Sequence, residues 1–448
     1  MRTMKDSEIG WIGQIPKNWL IKQAKFVLDI YTGATPKSQV PEYWDGDILW
    51  VTPADYKTED VYITDTKKHI TQSGYESCST TIVPRGSLIF SKRAPIGTVA
   101  IADKDLCTNQ GCLACVCNNN ALYKYIYYQM QSLSEIFNSL GEGTTFLEIS
   151  YSSFRSVKFV LPSLSEQQAI ADYLDDKCAK IDTTIAKRKA IIEKLKEYKS
   201  AVITKVVTKG LNPDAEMKDS GIDWIGKIPK HWEYKRLKFL LKTNVNDLKI
   251  GPFGSALKGK TLPKDKGEYC IYAQANLIEN TFEVTKHYVD AETFSELNSY
   301  EIYPDDMLFS MMGTIGKCKA MPHGFTKGIM DSHLLKARFS EEQIYAPYFE
   351  YFYDKDNSYA AILQLNKMAV GSIMSGLNCN ILKNVMITVP PMNEQMAIVA
   401  YLDSQCAKID EAIEKQEQAV AKLEEYRKSV IYYAVTGKID CRDKESIA

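Results

Sequence analysis

A chain of 448 residues with 45% hydrophobic and 25% charged residues has the composition of a folded globular protein and the length for two to four domains. Its 55 basic and 56 acidic residues leave a formal net charge of −1, which excludes recognition of nucleic acid by bulk charge; residues 1–160 are balanced in the same way, with 16 of each sign. It has no run of about 18 apolar residues and no apolar stretch at the N-terminus, so no membrane span or export signal is read and a cytoplasmic location is expected.

The first segment, 1–26, contains MKDSEIGWIGQIPKNW at Met4 to Trp19. This segment returns as MKDSGIDWIGKIPKHW at Met217 to Trp232, identical at 12 of 16 positions, and opens a second segment, 213–239. Between them lie an insert, 27–160, and a helical stretch, 161–212; a second insert, 240–388, and a second helical stretch, 389–448, follow. Leu161 to Thr208 matches Val389 to Thr436 at 23 of 48 positions, whereas the two inserts show almost no matching. A duplicated frame around divergent inserts implies two equivalent placements for two different objects of recognition. Because Thr436-Gly437-Lys438 stands where Thr208-Lys209-Gly210 leads into the second WIGxIPxxW, the two chain ends are expected to meet, giving a pseudo-two-fold circular arrangement.

In the first insert, Asp47 to Thr52, Gly86 to Phe90, Thr98 to Ala102 and Ser156 to Leu161 have strand composition, and Tyr123 to Phe137 reads as helix. The helical stretch starts at Ser165 with an S-x-x-Q capping pattern and stops at Gly210. Leu174, Ile181, Leu195 and Val202 fall on one heptad position, with Ile170, Ile191 and Tyr198 assigned to the other; Leu402, Ile409, Leu423 and Val430 repeat the first, and Ile398 and Tyr426 the second. That spacing predicts two helices of roughly 60 Å pairing as an antiparallel coiled coil, unless each packs only on its own domain. In the second insert, Tyr269 to Ala273, Met307 to Met311, Leu334 to Phe339 and Asn384 to Val389 read as strands and Tyr345 to Phe352 as helix. GSLIFSKRAPIGTVAI and DMLFSMMGTIGKCKAM echo one strand-turn-strand unit, so the inserts are expected to share a fold. The class is mixed α/β (α+β).

Signals of chemistry are weak. Eleven cysteines in a chain without an export signal read as reduced thiols, and Cys107, Cys112, Cys115 and Cys117 fit a buried strand better than a zinc site. Gly254 to Thr261 satisfies G-x-x-x-x-G-K-T, but no buried strand precedes it and Leu262-Pro263-Lys264 cannot continue a helix, so ATP binding is not expected. The five histidines form no metal-like pair, Pro304-Asp305-Asp306 has no companion acid-x-Lys, and no nucleophile elbow occurs. A non-catalytic chain is expected.

WIGQIPKNW and WIGKIPKHW, YWDGDILWVTPAD at Tyr43 to Asp55, VLPSLSEQQAIADYLD at Val160 to Asp175, VPPMNEQMAIVAYLD at Val389 to Asp403, GPFGSALK at Gly251 to Lys258 and AVTGKID at Ala434 to Asp440 occur in an order that resembles the specificity (S) subunits of type I restriction-modification systems. The resemblance covers nearly the whole chain. It implies two target-recognition domains, each reading one half of a bipartite, asymmetric double-stranded DNA site, and helices that space them and dock methyltransferase (M) subunits, two in number. Restriction/translocase (R) subunits would join, and S-adenosylmethionine and ATP would belong to those partners, with no cofactor on this chain and no membrane involved. The DNA-contact candidates are loop residues: Thr35, Lys37, Lys92, Arg93, Asn109, Gln110, Thr144 and Thr145 in the first domain, and Ser255, Lys258, Lys260, Thr314, Lys317 and Ser372 in the second. The alternative is a non-catalytic coiled-coil scaffold whose arms bind proteins. The repeated Glu166, Gln167, Asp175 and Asp182 fit either a docking or a structural role.

Overall fold

A computed structural model describes residues 2–442 except 57–60, 143–146, 223–224, 243–244, 265, 284, 312–316, 354–363 and 365–376. The chain divides into two compact units, residues 1–188 with 418–448, and residues 189–417. Each unit therefore holds one insert, one copy of the short N-terminal motif, and a segment from each of two long helices, Leu164–Lys209 and Met392–Val435.

The repeated frame folds the same way in both units. In the first, strands β1 (Met4–Asp6) and β2 (Gln14–Pro16) form a hairpin, and β3 (Leu20–Gln23) pairs antiparallel with β12 (Lys158–Leu161) at the far end of the insert. In the second, β13 (Met217–Asp219) pairs with β14 (Lys227–Pro229), and β15 (Glu233–Arg236) with β23 (Met386–Val389). Trp19 and Trp232 are fully buried, and each donates its indole N–H to a glutamate in the first turn of a long helix, Glu166 at 3.1 Å and Glu394 at 2.9 Å. A carboxylate there also suits the positive end of the helix dipole.

The next residue does equivalent work in each copy. Gln167 accepts the Leu122 N–H at 2.8 Å and donates to the Asn120 and Pro162 carbonyls, both at 3.0 Å; Gln395 accepts from Tyr345 and donates to Gln343 and Pro390. These two amides satisfy buried backbone groups where strand, insert helix and long helix converge. Gln168 does not form the capping pattern read from the sequence. Its side chain turns to Asp172 at 2.7 Å, and the helix starts one residue earlier, at Leu164.

Within each unit the long-helix segments run antiparallel, because low numbers on one share a core with high numbers on the other: Ile181 and Ile185 with Val420 and Leu423, and Val202 to Val206 with Ile398 to Cys406. Leu174, Ile181, Leu402, Ile409 and Val430 are buried, and Leu195, Val202 and Leu423 half-buried, so the first heptad position lies on the seam. The second position divides. Ile170 and Ile398, near the start of each long helix, are buried, whereas Ile191, Tyr198 and Tyr426 are exposed; farther along, the seam's other row runs through Cys178, Ile185, Ile192, Lys199 and Val206, repeated by Cys406, Ile413, Val420, Arg427 and Ala434. Charges on that row disguised it. Lys199 pairs with Asp410 at 2.8 Å in one unit, and the duplicated pair, Arg427 with Asp182, also lies at 2.8 Å in the other.

The inserts, nearly unrelated in sequence, share one topology. The first carries a five-stranded sheet in the order β4 (Leu28–Thr32), β11 (Cys112–Cys117), β8 (Leu88–Ser91), β9 (Val99–Ala102) and β6 (Tyr62–Ile63), and a three-stranded sheet of β10 (Leu106–Thr108), β5 (Trp44–Val51) and β7 (His69–Ile70). The second has β16 (Leu248–Ile250), β22 (Leu334–Ala337), β19 (Met307–Ser310) and β20 (Cys318–Ala320), then β18 (His287–Val289), β17 (Tyr269–Tyr272) and β21 (Gly328–Met330). The directions agree throughout: β10 is parallel to β5 as β21 is to β17, and every other matched pair is antiparallel. The echoed segments are the β8–β9 and β19–β20 hairpins. Tyr125 and Tyr348, on the helices Tyr123–Ser132 and Ala346–Tyr353, pin each insert to the frame by donating to the Val160 and Thr388 carbonyls.

Candidate nucleic-acid interface

Three loops converge at one end of the first insert's sheets. After β4, Ala34 donates its N–H to the Thr108 carbonyl at 3.0 Å and accepts the Trp50 indole N–H at 2.9 Å. The β10–β11 turn is held by Asn109 N–H to the Val51 carbonyl at 2.8 Å and by Asn109 Oδ1, which accepts the Gly111 N–H at 2.9 Å. Gly33 lies so close to this turn that a Cβ would overlap the carbonyls of Thr108 and Asn109. The β8–β9 hairpin joins through Lys92 N–H to the Gly111 carbonyl at 3.0 Å. Thr35 then hydrogen-bonds Gln110 across two loops.

The sequence candidates Thr35, Lys92, Arg93, Asn109 and Gln110 are thus gathered, and exposed Lys37 lies on the first of the loops. The two adjacent cations are engaged: Lys92 and Arg93 bind the two oxygens of Glu148 at 2.7 and 2.8 Å. Burial pushes the Glu148 carboxyl up, but the hydrogen bonds from Lys92 and Arg93 outweigh it and hold it below its usual range. Thr144 and Thr145 lie outside the described residues.

The second insert repeats the geometry with other side chains. Asp331 N–H donates to the Tyr272 carbonyl at 2.9 Å, Met311 N–H to the His333 carbonyl at 3.2 Å, and Gly251, where a Cβ would overlap the Asp331 carbonyl, donates to Leu334 at 2.9 Å. Asp331-Ser332-His333 therefore occupies the place of Asn109-Gln110-Gly111. Sequence reading missed this turn, since nothing in the two inserts aligns it; only the strand pairing does. Ser255 lies on the short helix Gly254–Leu257, with Lys258 and Lys260 beyond it, all exposed; Lys260 is paired with Glu296, whose hydrogen bond raises the ammonium's pKa. Lys317, half-buried, accepts the Ser310 N–H at its carbonyl, 3.0 Å away, while Thr314 and Ser372 lie outside the described residues. Phe253, unmarked in the sequence, stands 86% exposed on the same loop.

Other chemistry finds little support. Among the described residues no group of three or more His, Cys, Asp or Glu could hold a metal ion. Cys112, Cys115 and Cys117 lie along β11, where burial pushes the thiols up, to about 12 for Cys112 and Cys117. The Gly254–Thr261 pattern holds a single helical turn before its lysine, and Leu262 beyond it bridges to Tyr288 rather than opening a helix. No helix among the described residues is long and apolar enough to cross a membrane. Of the four repeated helix residues, Glu166 and Gln167 bind the frame, Asp175 takes Lys124 at 2.6 Å and Tyr128 at 2.7 Å, and Asp182 takes Arg427.

The family described as type I restriction modification DNA specificity domain matches residues 16–196 and 229–423. The chain belongs to this family. Among relatives of this specificity family, the MjaIX specificity subunit of Methanocaldococcus jannaschii is 36% identical over 240 residues, 52% of this chain and 53% of that protein. The putative MjaX specificity subunit of the same organism is 24% identical over 96% of this chain and 95% of its own length. The match to the first of these spans about half of that relative's length. Two solved structures share the fold. A chain from a study of assembly and conformational transition of the type I R-M system aligns with a TM-score of 0.71 at 15% identity, over 95% of this chain and 99% of its own. The HsdS subunit of Thermoanaerobacter tengcongensis aligns at 0.50 with 16% identity, over 95% and 98%.

Proposed function

We propose that this chain is the non-catalytic DNA reader of a type I restriction-modification complex in the cytoplasm. The recognition domains, 27–160 and 240–388, each read one half of a bipartite asymmetric site, and the long helices set the spacing between the halves. The observation that carries this reading is one loop scaffold built twice with different polar groups on corresponding turns: Gln110 beside Thr35 in the first domain, Ser332 and His333 in the second. Matching strand pairing with unlike hydrogen-bonding groups on the turns suits the reading of two different sequences, because base edges are distinguished by donor and acceptor pattern. Thr35, Lys37, Lys92, Arg93, Asn109, Gln110, Ser255, Lys258, Lys260 and Lys317 remain the proposed contacts, with Thr144, Thr145, Thr314 and Ser372 from the sequence.

The helices also carry the proposed docking sites for two methyltransferase subunits. Tyr198 and its duplicate Tyr426 are 58% and 53% exposed, and two uncovered aromatics at equivalent positions suit two copies of one partner. S-adenosylmethionine and ATP then belong to the methyltransferase and restriction subunits. The test is to exchange 27–160 for the matching part of a relative and map the methylated sequence made with the methyltransferase partner. One half of the site should change while the other half and the spacing stay fixed; a change in both halves, or in neither, defeats the proposal. Binding insensitive to salt would instead favour a protein-binding scaffold.

A further inference from the structure

The two reading turns differ most at one position. In the first domain Asn109 turns inward to cap the turn and Gly111 offers no side chain. In the second, Asp331 takes the capping role, its Oδ1 accepting the His333 N–H at 2.9 Å, and His333 stands in the glycine's place. The Asp331 side chain is 18% exposed and the His333 side chain 58% exposed, so the carboxylate belongs to the scaffold and the imidazole to the surface. His333 Nδ1 faces Asp331 Oδ2 at 3.4 Å and Ser332 Oγ at 3.3 Å. A carboxylate beside Nδ1 favours the proton there, which leaves Nε2 with its lone pair directed away from the turn.

We propose that His333 is a specificity-determining residue of the second recognition domain: Nε2 accepts a hydrogen bond from the exocyclic amino group of an adenine or cytosine in the half-site that this domain reads. In the major groove those amino groups are the donors that distinguish A and C from G and T. Asp331 acts as a positioning residue that fixes the ring and its tautomer. The inference rests on the DNA-reading function proposed above.

The test uses the full chain assembled with its methyltransferase partner, and duplexes carrying every single-base change through the methylated site. A wild-type complex without base preference anywhere would remove the DNA-reading function itself, before any variant is made. Given a wild-type preference, His333→Ala should lose discrimination at one base pair of one half-site by roughly tenfold to a hundredfold, with the other half, the spacing and the melting temperature unchanged. Asp331→Asn, which keeps an oxygen for the turn, should weaken discrimination at that same pair and nowhere else. An unaltered base profile in His333→Ala, or a loss spread evenly over both half-sites, overturns the inference.

Discussion

Lys92 and Arg93 share one carboxylate, and that limits what they can offer a phosphate. Glu148, 29% exposed at its side chain, is a built-in competitor for the position a DNA phosphate would occupy. Glu148→Gln should therefore strengthen binding of the assembled complex and steepen the slope of log K against log salt by about 1 to 2, since each new phosphate contact adds roughly 0.9. An unchanged slope would mean that these cations face away from the duplex. A different residue sets a pH dependence. Lys336, 2% exposed on β22, donates to the Ser299 carbonyl at 3.3 Å and to that of Glu301, and burial pushes its pKa down to about 8. Between that value and the unfolded lysine's ~10.4 the unfolded chain holds more protons, so stability should rise with pH across this window, by at most about 3 kcal/mol. Denaturant titrations at pH 7.5 and 10 should show the rise in the native chain and its loss in Lys336→Met; equal rises in both would contradict the assignment.

At the scale of elements, the seam separates two neighbours that look alike in sequence. Ile192 is 7% exposed and Ile191 43%. Ile192→Ala should cost about 2 kcal/mol or more, and Ile191→Ala no more than about 0.5 kcal/mol, measured by chemical denaturation; equal costs would contradict the register. This pair also explains how much could be read without coordinates. One heptad row was legible because Leu174, Ile181, Leu195 and Val202 are apolar and only Arg188 breaks it, as Gln416 breaks its repeat. The other was hidden because Lys199 and Arg427 interrupt it, and their charges are acceptable there only through Asp410 and Asp182, more than two hundred residues away. Strands such as β8, β9 and β19 were legible from their continuous apolar runs, every residue of which is buried. The turns were only half legible. Thr35, Asn109 and Gln110 stood out by type, but the clasp of Lys92 and Arg93 by Glu148, and the match of Asp331-Ser332-His333 to Asn109-Gln110-Gly111, depend on pairings between distant segments.

For the whole molecule, duplication was the most legible feature and the most informative. It pointed to two readers on one frame, and the central bond of the frame recurs, with Trp19 to Glu166 and Trp232 to Glu394. Each copy needs the end of a long helix placed against a buried tryptophan, and each helix end turns on a glycine with positive φ, Gly210 against Trp232 and Gly437 against Trp19. In the second unit this joint is made by continuous chain. In the first it is made across the ends, where Arg2 pairs with Asp440 and with Glu166, and Tyr432 donates to the Trp11 carbonyl at 3.1 Å. A circular permutant, with Arg442 tied to Arg2 by a short flexible linker and new ends opened in the exposed residues 211–214, should melt within about 5 °C of the parent and direct methylation to the same sequence. Should it fail to fold, the joint between residues 2–19 and 432–440 is more than a ligated copy of its twin.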